Sequence, residues 1–250
     1  MNTAIRVEAL KLVRSPVGTI GTIALVAGTL ALLGGITATL AGGNPELTAK
    51  VGTAATLNWN GLLASAAQIT AAGGLLGLGI VLSWMFGREF TDGTITGLFA
   101  LPVSRSRIAL AKLAVYAVWA IVVSLALTLG ILALGLLLGY GIPTVDGWAS
   151  LGRQGALTLL TAAIAIPVAW IATATRSLLA AVGGAIALVV IAQVSALAGA
   201  EGWMPLAAPA LWTMSAGAAV NPAQLSLAAL FGIAFAALTT ASWARLQLNR

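Results

Sequence analysis

The sequence predicts an all-α integral membrane protein with six transmembrane helices and both termini in the cytoplasm. Three observations carry that expectation. The chain is 60% hydrophobic and only 7% charged, with a mean hydropathy of +1.05. An ordinary soluble domain is about 45–50% apolar and about 25% charged, so this chain lacks the polar side chains to cover a water-facing surface. Six apolar runs are each long enough to cross a hydrocarbon core of ~30 Å, which takes roughly 20 helical residues. The basic residues then fall unevenly about those runs: ten on the side of the termini and two, Lys50 and Arg153, on the other. Positive charge in short loops marks the cytoplasmic side.

Residues 1–250 form one transmembrane domain on this reading. Asn2–Pro16 is too polar to span, with Arg6, Lys11 and Arg14 along it. At about 100° per residue, Ile5, Ala9, Leu12 and Val13 share a face opposite Lys11 and Arg14. That pattern fits a helix lying in the membrane interface, ended at Pro16. A signal-peptide reading fits less well, because the apolar run that follows exceeds an h-region and no clear cleavage site closes it. The expected spans are residues 17–41, 60–86, 108–139, 154–175, 178–199 and 223–243. Between the first two lies a polar connection with Glu46 and Lys50, and Arg176 marks a tight turn between the fourth and fifth. Residues 200–222 carry Glu201, three prolines, Trp203 and Trp212, and are expected outside. Most tryptophans sit at span ends, as in interfacial aromatic belts; Trp119, within the third span, is the exception. The pairs Gly73/Gly77 and Gly135/Gly139 have the spacing that lets helix backbones approach.

Absent residue types exclude several functions. The chain has no Cys and no His, so it offers no disulfide, no zinc or haem site of the usual kind, no thiol nucleophile and no imidazole base. The two aspartates, Asp92 and Asp146, fall in expected loops, which excludes an intramembrane aspartyl protease. No acid lies deep in a span, and Lys112 is close enough to the cytoplasmic end to snorkel. An ion-coupled carrier ordinarily keeps an ionisable group near midplane. The spans offer neutral candidates instead. Gln68 and Gln193 either bond between helices or line a substrate path, and both readings stay open.

The segment 88–107 holds five of the eighteen charged residues. Read as a helix from Arg88 to Leu101, it puts Phe90, Thr94, Gly97, Leu98 and Leu101 on one side and Arg88, Asp92, Ile95, Thr96 and Phe99 on the other. Ile95 and Phe99 are then apolar knobs on a polar face, suited to a partner's groove. Glu89 and Asp92 suit the N-terminal end of the helix dipole, and Pro102 ends the segment. An interfacial loop resting both faces on lipid is the plainer alternative.

Glu89 followed by Gly93 and Thr94, then Leu101-Pro102-Val103-Ser104-Arg105, then Lys112 at the head of an apolar run, resembles the permeases of type-2 ATP-binding-cassette exporters. The pattern Glu8, Lys11, Arg14, Pro16 and the six-span layout are similar too. The resemblance implies a cytoplasmic coupling helix between spans two and three, with Glu89, Asp92, Ile95, Phe99 and Arg105 as ATPase-coupling residues. It implies short extracellular re-entrant helices in 200–222. It also implies as partners a nucleotide-binding ATPase subunit and a second permease copy, in a bacterial cell membrane. ATP and Mg would sit on the partner subunit, since this chain has no G-x-x-x-x-G-K-[ST] loop and is not itself expected to be an enzyme. No cofactor or metal and no nucleic acid is expected on the chain. The cargo class implied is a drug, peptide antibiotic, lipid or other amphipathic molecule. A non-transporting membrane assembly protein and a secondary carrier are the alternatives.

Overall fold

The computed structural model describes residues 2–43, 56–99 and 103–247. Glu46, Lys50, Leu101 and Pro102 lie outside those residues. The described chain is helical, and six helical stretches are long and apolar enough to cross a membrane. A helix satisfies every backbone polar group internally, which a lipid solvent demands.

Helix α1 (Asn2–Val13) is followed at once by the first span, α2 (Pro16–Ala41). Ser15 caps α2 by accepting from the Gly18 amide at 2.8 Å, and Pro16 starts it with a ring that needs no N–H partner. The second span, α3, covers Trp59–Thr91, and a short helix α4 (Ile95–Phe99) follows. The third span, α5, is one long helix, Arg105–Leu137. The fourth is broken: α6 (Val145–Ile164) gives way to α7 (Pro167–Thr175). The fifth, α8 (Leu178–Leu197), leads to a 3₁₀ turn at Glu201–Trp203 and the short α9 (Ala208–Met214). The sixth, α10, runs Pro222–Arg245 from a capping box made by Asn221 and Gln224.

The inside of the bundle is α3 with α6 and α7. Those two spans are 56% buried in their most apolar windows, against 17% for α2, α8 and α10. Small residues permit the closest approaches. A Cβ on Gly87 would stand 2.8 Å from the Leu178 Cα, and one on Gly79 would stand 2.7 Å from the Ala185 Cβ. Of the G-x-x-x-G pairs, Gly77 packs on Leu25 and Gly135 on the Trp59 ring, whereas Gly139 serves a turn at φ +80°.

The break between α6 and α7 has a local cause. Pro167 has no N–H to donate to the Ala163 carbonyl, and the Ile166 amide bonds Ala163 at 3.2 Å instead of Ala162. The orphaned Ala162 carbonyl accepts from the Tyr116 hydroxyl on α5 at 3.1 Å. Gly232 on α10 fits against the exposed Ala163 carbonyl, where a Cβ would come within 2.7 Å. A proline break in mid-span is thus covered by two neighbouring helices.

Three expectations about surfaces change. On α1, Glu8 and Leu12 face inward and Val13 is exposed, because the helix packs on α5. Trp243 is fully buried, donating from its indole to Thr173 Oγ1 at 2.9 Å and meeting Phe86 edge-on. It is a core residue and not a member of an interfacial belt. Lys112 is 1% exposed and does not snorkel.

Candidate functional site

Glu89 sits in the last turn of α3. Three residues later the chain reverses, with Asp92 in the capping position and Gly93 at φ +67°, a left-handed conformation that suits glycine. The reversal brings the Thr94 hydroxyl back to donate to Glu89 Oε2. The Glu-to-Gly-Thr spacing therefore has a mechanical meaning: the carboxylate anchors the turn that follows its own helix.

The reversal also corrects the single helix expected over Arg88–Leu101. Arg88 to Thr91 belong to α3, and the helical phase does not carry through Gly93. Ile95 is in consequence buried, 7% exposed and packed into the core, and is no exposed knob. Phe99 ends α4, and its side chain lies outside the described residues. Asp92 is exposed, 3.4 Å from the Arg88 guanidinium, and Arg88 lies over the Trp84 ring at 4.7 Å. Glu89 and Asp92 stand at the C-terminal end of a helix, where the dipole disfavours acids, the reverse of the expected placement.

Cations offset that placement for Glu89. Lys112, in the second turn of α5, donates to Glu89 Oε1 at 2.9 Å, to Glu8 Oε2 at 2.7 Å and to the Met85 carbonyl at 3.0 Å. Lys11 on α1 donates to Glu8 Oε1 and to Glu89 Oε1, both at 2.9 Å. All three ammonium protons of Lys112 are used. Two carboxylates and two ammonium groups make a neutral set, which is the condition for burying charge. Burial alone would pull the Lys11 ammonium down, but the hydrogen bonds to Glu89 and Glu8 and the two carboxylate charges hold it above its ordinary value. The cluster joins α1, the end of α3, the turn to α4 and the start of α5 at one point.

The same end of the bundle is tied to the last helix. Arg105 donates to the Leu246 carbonyl, and Arg176, at φ +53° in the turn between α7 and α8, donates to Gln247 at 2.9 Å. Beside the cluster a cleft of about 660 Å³ opens between α1 and α3, lined by Val7, Leu10, Arg14, Trp84, Arg88 and Asp92.

Gln68 and Gln193 lie far from this cluster, and they face one cavity together. Glu8 and Lys11 were legible only as part of a motif; nothing in the α1 pattern placed them against Lys112. The Tyr116–Ala162 bond had no sequence signal beyond Pro167.

Residues 4–195 match the family model described as ABC-2 family transporter protein. No curated protein matches the chain with significance.

Proposed function

The chain belongs to the ABC-2 transporter family, whose proteins form the membrane component of ABC transporters beside a nucleotide-binding ATPase, and from that premise we propose that it is the permease subunit of an ATP-driven exporter. One observation supports this reading most: the buried cluster of Glu8, Lys11, Glu89 and Lys112 makes α1, the α3–α4 turn and α5 a single mechanical unit. A push on any of these elements is transmitted to the second and third spans. Ten of the twelve basic residues fall on the side of the termini, which supports a cytoplasmic placement of this end of the bundle, where an ATPase would reach it.

In this mechanism ATP and Mg bind the partner subunit, and its closure moves the α3–α4 turn. Arg88, Asp92 and Phe99 make the contact, and Arg105 secures the link to α10. Glu89 and Ile95 hold the turn from behind. Two permease copies enclose the path, and the cargo is a drug, peptide antibiotic, lipid or other amphipathic molecule leaving a bacterial cell. The exposed cleft between α1 and α3 belongs to the same surface.

The test is co-expression with the ATPase and purification through a tag on the permease. Phe99→Asp is expected to lose the ATPase from the purified complex, and with it the ATP-dependent release of cargo from inverted vesicles, at an unchanged unfolding temperature. Full retention of ATPase and transport in Phe99→Asp removes the proposed contact. Transport driven by an ion gradient without the ATPase overturns the reading as a whole.

A further inference from the structure

At the end of the bundle opposite the charged cluster, a cavity of about 480 Å³ lies between α3, α6, α8 and α9. Its wall is apolar, with Leu157, Ala192 and Met214 among the lining residues, apart from Gln68, Thr161 and Gln193. Thr161 is 1% exposed, and among the described residues its hydroxyl has no hydrogen-bond partner. The carboxamides of Gln68, which is exposed, and of Gln193, which is half-buried, likewise have no hydrogen-bond partner among the described residues. Elsewhere Gln154 donates to Thr70 Oγ1 at 2.8 Å while its own Oε1 has no partner among the described residues, and Gln224 completes the cap of α10.

Three unpartnered polar groups converging on one cavity are costly in an apolar medium unless something meets them. Among the described residues no charged side chain lines the cavity, so an ion entering it would find no counter-charge from them. Carboxamides and a hydroxyl both donate and accept. The complementary head group is therefore uncharged and carries donors and acceptors of its own. The remaining wall suits an alkyl or aromatic body, and ligand pockets of roughly 300–1,000 Å³ hold molecules of drug or lipid size.

We propose that this cavity is a binding site for an uncharged amphiphile with a hydroxylated or amide head group, its head held by Gln68, Thr161 and Gln193. The site lies within one copy of the chain. Its ligand is either a resident lipid or the cargo, and the second alternative rests on the exporter reading.

The experiment uses the full chain in phosphatidylcholine nanodiscs with a photoreactive monoacylglycerol as probe. Saturable labelling of peptides from α3, α8 and α9 is expected. Unlabelled monoacylglycerol should compete, and neither hexadecane nor a fatty-acid anion should. Labelling should fall about tenfold in Q68L/Q193L and by a smaller factor in T161V, as expected for lost hydrogen bonds. Equal competition by hexadecane overturns the site, as does unchanged labelling in both variants. The competition series needs only the unaltered protein and decides the matter if a variant unfolds. Adding the ATPase and ATP in liposomes separates the sources: probe carried across the membrane identifies cargo, and saturable binding without movement identifies a resident lipid. An ATPase that the permease neither retains nor stimulates defeats the exporter reading and leaves the binding result standing.

Discussion

Lys112 on α5 and Glu8 on α1 are 104 positions apart in the chain and 2.7 Å apart in space. That contact, with Glu89 on the other side of the same ammonium, fixes the N-terminal helix to two spans. A buried ion pair adds little net stability over an apolar replacement, but losing one partner strands a charge.

Lys112→Met should therefore cost about 3–5 kcal/mol, the range for breaking a buried pair. The double substitution Lys112→Met with Glu8→Gln should recover part of that, because the stranded acid is gone. Thermal unfolding of the four proteins in one detergent measures the coupling. Simple additivity would mean that the groups do not act as a unit.

Tyr116→Phe leaves the Ala162 carbonyl without its donor and should cost about 1–3 kcal/mol, the desolvation of an unsatisfied buried group. In a Pro167→Ala background the amides of residues 166 and 167 can bond Ala162 and Ala163 in the ordinary helical way. The effect of Tyr116→Phe should then shrink towards zero. An equal loss in both backgrounds would detach the tyrosine from the helix break.

Gly232→Ala brings a methyl to 2.7 Å from the Ala163 carbonyl oxygen, where backbone must shift. Overpacking of this kind costs about 1–3 kcal/mol. Gly183→Ala meets open space and should be neutral or mildly stabilising, since alanine is the better helix former. Unfolding temperatures of the two variants, compared side by side, check the asymmetry.

Lys11 carries a pH dependence whose sign follows from its raised pKa. Its contribution is complete below the unfolded lysine value of about 10.4 and is lost as pH rises through the higher folded value. Stability should thus hold across neutral pH and fall in the alkaline range, and Lys11→Met should remove that part of the fall. An alkaline profile unchanged in Lys11→Met would show that the helix is held by other contacts.

Much of the architecture was legible before any coordinates, for reasons visible in particular residues. The uncharged run after Pro16 is long enough to span, and Arg176 alone between two apolar runs marks a turn. The Glu89-Gly93-Thr94 spacing identified the segment that matters. Its geometry was not legible, because the phase counted from Arg88 presumes an unbroken helix and Gly93 breaks it. Ile95 consequently moved from the expected outer face to the core. A π turn at Thr70–Gly74 similarly displaces the face that follows by one residue, so the register of Gly73 and Gly77 could not be projected from Gln68.

What the sequence determined alone is the six-span helical fold: lipid admits few backbone solutions, and hydropathy counts them. The tertiary structure decided which polar side chains meet. Glu8, Lys11, Glu89 and Lys112 converge, and Gln68 and Gln193 share a wall, because breaks at Gly93 and Pro167 and the π turn at Thr70–Gly74 reset helical phase. Small residues then set how closely the reset faces pack. Apolar composition carries no record of either, since lipid-facing and helix-facing positions are equally hydrophobic.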